Sequence, residues 1–259
     1  MILDPEFGEG SPDDRFSHMD SATALRLTEM NREFYRRVAP EFSRSRQRLN
    51  PGIFRAFTEI PACQQLLDVG CGDGRVGLAW AAGELALPWT PECRYVGLDQ
   101  SAELLAARTP WPVGLRAIEA DLAGPNWPDG DFDVVCCFAA LHHIPGRGAR
   151  IEALRRIGGS LGPQGHWVIS VWQFLHLERF RRRILGWTEA GIEPDRVDNG
   201  DLLLDWRKGP RALRYVHHYD SRELSEDCRE AGLDCLESWV SDGEDDRLGL
   251  YLTGRRFDS

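Results

Sequence analysis

Between Leu66 and Trp172 the chain alternates short apolar runs with stretches of helical character, and few architectures accept that rhythm. The runs are QLLDV at 65–69, RYVGL at 94–98, LRAIEA at 115–120, FDVVCCF at 132–138 and HWVISVW at 166–172. Between them lie segments such as GRVGLAWAAGEL, SAELLAAR and RGARIEALRRIGGSL. Repeated strand–helix–strand units predict a parallel sheet with helices on both faces. After Trp172 the alternation stops until a helix over Ser221–Gly232, opened by an approximate capping box at Ser221. Two strands, LDCLESWV and RLGLYLTGR, then close the chain. The predicted fold is α/β: a doubly wound, mostly parallel seven-stranded sheet with N-terminal helices and an inserted cap before the last helix.

The flanks complete this organisation. Leu25, Leu27, Met30, Phe34 and Val38 recur at helical spacing from Ser21, Pro40 is expected to end that helix, and a second short helix follows Pro51. Residues 1–20, acidic and rich in turn formers, read as a disordered leader, and 21–259 as one domain whose 42% hydrophobic content is enough for a substantial core. Residues 173–219 are too long for a plain loop. They carry an arginine run and two Trp, and read as a helical insertion over the site or a mobile lid.

The stretch LLDVGCGDGRVG (Leu66 to Gly77) places a glycine-rich turn at the end of the first strand. GDGRVG alone would fit a dinucleotide turn. Yet the alternating Gly70, Gly72 and Gly74 stand between Asp68 and Asp73, and carboxylates repel a pyrophosphate while favouring a ligand that carries an ammonium group. S-adenosylmethionine is such a ligand, and D-x-G-x-G-x-G here resembles motif I of the class I, Rossmann-like S-adenosylmethionine-dependent methyltransferases. Glycines without a Cβ let the backbone approach the cofactor closely. Asp99 ends the second strand, where a carboxylate can accept from both ribose hydroxyls, although a nicotinamide site would also place an acid there. Asp121 follows the third strand, and the superfamily resemblance implies that it meets the adenine amino group while Leu122 supplies an N–H. A non-catalytic scaffold would need neither the turn nor the three acids. The fourth strand leads into His142 and His143; either could serve as base for a hydroxyl acceptor, or simply pack on the cofactor and cap the next helix.

Charge bears on the partner. The chain carries a formal −10, and Lys208 is its sole lysine. Proteins that grip a phosphate backbone unaided usually present a positive surface, so nucleic-acid binding here would rest on arginine patches or a small activating partner protein. The densest patch is RFRRR (Arg179 to Arg183), which could equally be a solvated helix face. Seven cysteines without a C-x-x-C pair or a Cys/His cluster imply neither a disulfide framework nor a metal site. No apolar run approaches the ~20 residues that span a bilayer, and no signal peptide opens the chain, so a cytoplasmic protein without a membrane partner is expected.

The outer segments carry a narrower resemblance. FYRRVAPEFSRSR (Phe34 to Arg46) is similar to the Y-x-x-I-A-x-x-F-S-x-T-R segment of the tRNA wobble-uridine carboxymethyl methyltransferases, with Tyr35, Ala39, Phe42, Ser43, Ser45 and Arg46 matching. GDLLLDW (Gly200 to Trp206) resembles that family's G-D-x-x-V-P-W, and RYVHHY (Arg214 to Tyr219) its R-Y-Y-H-x-F. Val171 and Trp172 fit the end of its fifth strand. Asp205 stands where the family has Pro, Val216 where it has a second Tyr, and Ser45 where Thr is usual. The resemblance implies O-methylation of 5-carboxymethyluridine in the anticodon region of tRNA. A carboxylate is already ionised at neutral pH, so Arg46 and Arg214 become the candidates that hold it. The alternative acceptor is a small-molecule carboxylate or hydroxyl, with His142 or His143 as base.

Overall fold

The computed structural model describes residues 19–45, 48–60, 62–206 and 212–256. In chain order the elements are α1 (Ser21–Ser45), α2 (Pro51–Ala56), β1 (Gln65–Val69), α3 (Arg75–Ala81), β2 (Arg94–Asp99), α4 (Ala102–Ala106), β3 (Leu115–Glu119), β4 (Phe132–Phe138), α5 (Arg147–Gly159) and β5 (Leu161–Trp172). There follow α6 (Glu178–Arg181), β6 (Ile184–Leu185), β7 (Asp201–Trp206), β8 (Ala212–His217), α7 (Ser221–Glu230), β9 (Leu233–Ser241) and β10 (Gly249–Arg256). Seven strands form one sheet in the order β3-β2-β1-β4-β5-β10-β9, and only β10 runs antiparallel to its neighbours. Strand order reverses direction at β1, so the crevice beyond the carboxyl ends of β1 and β4 is where such a sheet takes a ligand.

Period-two alternation divides the core. Leu66, Val134, Cys136 and Val168 face Trp80 of α3 and Ile53 of α2, while Leu67, Val135, Cys137 and Ile169 face Leu154 of α5 and Leu224 of α7. Cys136 and Cys137 are therefore small buried hydrophobes on opposite faces, and all seven cysteines are free thiols. Among the described residues no cluster could hold a metal, and no helix is long and apolar enough to cross a membrane.

Three expectations change. Pro40 does not end α1, which runs on to Ser45 with Pro40 inside it. The ring removes one intrahelical bond, but Ala39 just before it and Phe42 and Ser43 beyond it are buried, and Phe42 meets Tyr35 edge-on at 5.5 Å. The insertion is mainly an antiparallel three-stranded sheet, β6-β7-β8, rather than helical. It is anchored at its ends, Gln173 Nε2 donating to the Tyr219 carbonyl at 2.6 Å. A buried ionic cluster fixes its foot: Asp201 Oδ1 accepts from Tyr215 Oη at 2.7 Å and from His217 Nδ1 at 2.8 Å, with the wholly buried Arg150 beside them. Asn31 of α1 clasps β8, accepting from Tyr215 N at 2.9 Å and donating to the Tyr215 carbonyl at 3.2 Å. α1 and the insertion thus form one cap, Phe34, Val38 and Phe42 packing with Ala212 and Trp206. The helix over 221–230 is capped by Asp220, which accepts from Glu223 N at 2.7 Å, rather than by Ser221. The predicted leader lies almost entirely outside the described residues.

Candidate active site

The loop from β1 to α3 turns back over the end of β2: the amides of Gly70 and Cys71 both donate to the Leu98 carbonyl, at 2.7 and 3.1 Å. Positive φ at Gly70 (+75°), Gly72 (+59°) and Gly74 (+73°) makes this turn possible. The glycines differ in what surrounds them. A Cβ on Gly70 would lie 2.2 Å from Ala140 Cβ, whereas one on Gly72 would meet nothing closer than Leu104 at 4.0 Å. Gly70 is required by the protein's own packing, and Gly72 is the glycine that leaves room for a ligand.

Gly72 lines a cavity of about 70 Å³ together with Gly70, Asp73, Asp99, Leu122 and, from α1, Tyr35 and Phe42. Asp99 is buried, its Oδ2 accepting from Gly72 N at 2.8 Å and its Oδ1 from Ser101 N at 2.9 Å. Burial raises its pKa against these amide bonds. Each oxygen keeps a further lone pair, so the carboxylate can still accept from a pair of hydroxyls. Leu122 lines the same cavity.

Three sequence candidates sit elsewhere than expected. Asp68 points beneath the turn, accepting from Tyr95 Oη at 2.7 Å, with Cys136 Sγ 3.5 Å from its other oxygen. Burial pushes its pKa up to about 6. It holds β1 to β2 and is not on the cavity wall; the acid that the glycine turn itself gives to the wall is Asp73, flanked by Arg108 at 3.3 Å and Arg75 at 3.5 Å. Asp121, half-exposed, pairs with Arg32 of α1 at 2.8 Å and is also off the wall. Gly74 would place a Cβ against the Trp111 ring rather than a ligand.

Of the two histidines, His143 reaches the cavity and His142 does not. His142 is wholly buried, its ring 5.3 Å from that of Trp172. His143 Nδ1 lies 3.1 Å from the Tyr215 carbonyl. A carbonyl only accepts, so Nδ1 carries the proton and Nε2 is an acceptor, which Arg214 Nη2 fills. Arg214 is 4% exposed, also donates to Tyr35 Oη, and lies over the rings of Trp172, Phe34 and Tyr35 at 4.5, 5.0 and 5.1 Å. It makes no ion pair among the described residues. Burial lowers its pKa while Tyr35 opposes the shift. Arg214 stands behind the aromatic wall rather than on it. Arg46 falls outside the described residues.

A second, wider cleft of about 410 Å³ adjoins the first, and Arg75, Phe138 and Ala139 line both. Ala139 holds φ at +53°, a conformation L-residues rarely adopt, fixed by its amide donating to the Ser170 carbonyl at 3.0 Å and to Ser170 Oγ at 3.1 Å. Two small residues after β4 are the only sign of this junction in the sequence. Nor did it reveal Asn31, because a helical asparagine has no pattern of its own.

A seven-stranded sheet with one antiparallel strand, a glycine turn after β1 and an acid after β2 defines a class I, S-adenosylmethionine-dependent methyltransferase. The chain belongs to the methyltransferase domain family, whose pattern it matches over residues 32–238. A protein of Encephalitozoon cuniculi named as a methyltransferase is 28% identical over 79% of this chain and 87% of its own length. The tRNA (carboxymethyluridine(34)-5-O)-methyltransferase of Arabidopsis thaliana is 26% identical over 61% of this chain but only 37% of its own length. An S-adenosylmethionine-dependent methyltransferase from Clostridium acetobutylicum shares the fold with a TM-score of 0.60 at 13% identity, over 86% of this chain and 99% of that one.

Proposed function

We propose that this enzyme transfers a methyl group to a carboxylate, and that the carboxylate is that of 5-carboxymethyluridine at the tRNA wobble position. The observation that carries the reading is the engagement of His143. Its Nε2 lone pair is taken by Arg214, its Nδ1 by a carbonyl, and His142 is sealed from the cavity. The acids on the wall are engaged too, Asp73 by arginines and Asp99 by amides. A hydroxyl acceptor would need one of these groups to take its proton. A carboxylate arrives ionised and needs none.

S-adenosylmethionine supplies an electrophilic methyl on a sulfonium. The residues present fit it: Gly72 leaves space above the turn, Asp99 offers acceptors for the ribose, and Leu122 an apolar wall. The protein's remaining work is alignment and exclusion of water. Ala139, at the shared wall of the two cavities, leaves a path that a larger side chain would obstruct. Arg214 adds positive charge behind Tyr35 and His143, where an incoming anion is favoured. The cavity is well below the ~300–1000 Å³ of ordinary small-molecule sites, so α1 must swing Tyr35 and Phe42 outward when the cofactor enters.

The uridine acceptor is supported by the relatives that carry this activity in their names and by the Tyr35, Trp206 and Arg214 segments. tRNA affinity then rests on arginine patches or on a small activating protein, and the enzyme works in the cytoplasm. The formal charge of −10 favours a second reading, a small-molecule carboxylate as acceptor. Mass spectrometry of nucleosides from total tRNA, with and without the gene, separates them. Loss of the methyl ester with accumulation of the free acid supports the first reading, and an unchanged profile supports the second.

A further inference from the structure

The wider cleft has a composition that the cofactor does not explain. Its walls bring together Trp172 at the end of β5, Trp206 at the end of β7, Phe180 of α6 and Tyr251 of β10, with the guanidinium-bearing Arg179 and Arg183 at one side and Arg75 at the other. Phe180 orders Arg179 of α6 and Arg183 just beyond it: their guanidinium carbons lie 5.3 and 5.5 Å from its ring centroid. Arg183 makes no ion pair among the described residues. Arg179 pairs with Glu244 at 2.6 Å, but Glu244 is 81% exposed and a solvated pair of that kind is easily exchanged. The one carboxylate on the wall, Asp242, is fully engaged within the fold, by Gly52 N at 2.8 Å, Asn50 Nδ2 at 3.1 Å and Tyr251 Oη at 2.5 Å.

Flat rings beside guanidinium forks, with the one wall carboxylate already engaged within the fold, are what an unstacked base and its flanking phosphate require. Aromatic faces stack any base, and arginine grips a phosphate bidentately. We propose that this cleft takes a single nucleotide drawn out of its stack, with the base against Trp172 and Trp206 and the adjacent phosphate on Arg183 and Arg179. The inference rests on the uridine reading above and names the part of the surface that recognises the RNA. Glu244 occupies Arg179 in the free protein and gives way to the phosphate. The shared wall at Phe138 and Ala139 then puts the base's substituent next to the cofactor cavity.

The test uses the full chain saturated with S-adenosylhomocysteine and a fluorescent anticodon stem-loop RNA with uridine at the wobble position, read by anisotropy over a salt series. The Arg179→Ala/Arg183→Ala double variant should bind at least ten-fold more weakly, with a salt slope smaller by about 1–2, as expected for one or two lost phosphate contacts. Its affinity for S-adenosylhomocysteine should be unchanged, which shows that it is folded. Glu244→Gln should bind the RNA more tightly than the wild type, an effect that loss of structure cannot mimic. Wild-type affinity and slope in the double variant would overturn the cleft assignment and leave the uridine reading standing. Absence of RNA binding by the wild type, together with turnover of a free small carboxylate, would overturn both.

Discussion

Replacing Gly72 and Gly70 separately by alanine distinguishes a glycine kept for a ligand from one kept for packing. At both positions an alanine would have to hold a positive φ, which costs about 1–2 kcal/mol. At Gly72 nothing further is added, because the new methyl meets only Leu104 at 4.0 Å. At Gly70 the methyl falls 2.2 Å from Ala140 Cβ, an atom fixed directly to backbone, so about 1–3 kcal/mol of overpacking comes on top. For a chain of this size 1 kcal/mol moves Tm by ~2–4 °C. Gly72→Ala should therefore melt only a few degrees low, and Gly70→Ala ~5–15 °C low. Calorimetry gives both quantities: Tm from a thermal scan and S-adenosylhomocysteine affinity from titration. Despite its near-normal stability, Gly72→Ala should bind S-adenosylhomocysteine at least ten-fold more weakly, since its methyl projects into the cavity. Wild-type affinity in Gly72→Ala, or equal destabilisation by the two substitutions, would refute this placement of the cofactor.

Asp99→Asn keeps the shape of the side chain but removes the charged acceptor, and should weaken S-adenosylhomocysteine by ~1.5–3 kcal/mol in the same titration. Arg214→Lys should lower kcat ~10–100-fold with little change in cofactor affinity, because an ammonium cannot bond Tyr35 and His143 while lying across three rings; steady-state kinetics alongside the titration reads both. His217 gives the stability profile a pH dependence. Burial and Arg150 oppose its charge, but the bonds to Asp201 and Glu223, at 2.8 and 3.0 Å, outweigh them and its pKa is raised. Its contribution is complete below the unfolded value of ~6.5 and is lost as pH rises through the higher folded value. Urea titrations should show the wild type losing on the order of 1–2 kcal/mol across that window, and His217→Asn, weaker at pH 6, losing less.

The core was legible because the strands β1, β2, β4 and β5 are buried on both faces and so read as mainly apolar runs, while the edge strand β3 is only partly buried. The cap was not. β7 has buried residues on both of its faces, and its LLL run carries no alternation by which to tell strand from helix. Pro40 misled because local propensity favours a stop, whereas burial of Phe42 under the cap sustains the helix. At the site, spacing located the glycine turn and placed Asp99 at the end of β2, because both depend on backbone position. That Asp68 and His142 lie off the cavity wall was not legible, for a common reason. Adjacent strand-end residues point in different directions, and only the packing of Tyr95 over Asp68, and of Trp172 against His142, decides which side chain meets the cavity.

On the proposed function, an acceptor carboxylate is esterified without a base. The most direct measurement incubates the enzyme and S-adenosylmethionine with tRNA bearing 5-carboxymethyluridine, with the activating protein supplied where one is found, and follows the nucleoside by mass spectrometry from pH 6 to 9. A methyl ester should form at the wobble position, at a rate that stays flat across this range. Methylation of a hydroxyl instead, with a rate that rises through a pKa near ~6.5, would contradict it.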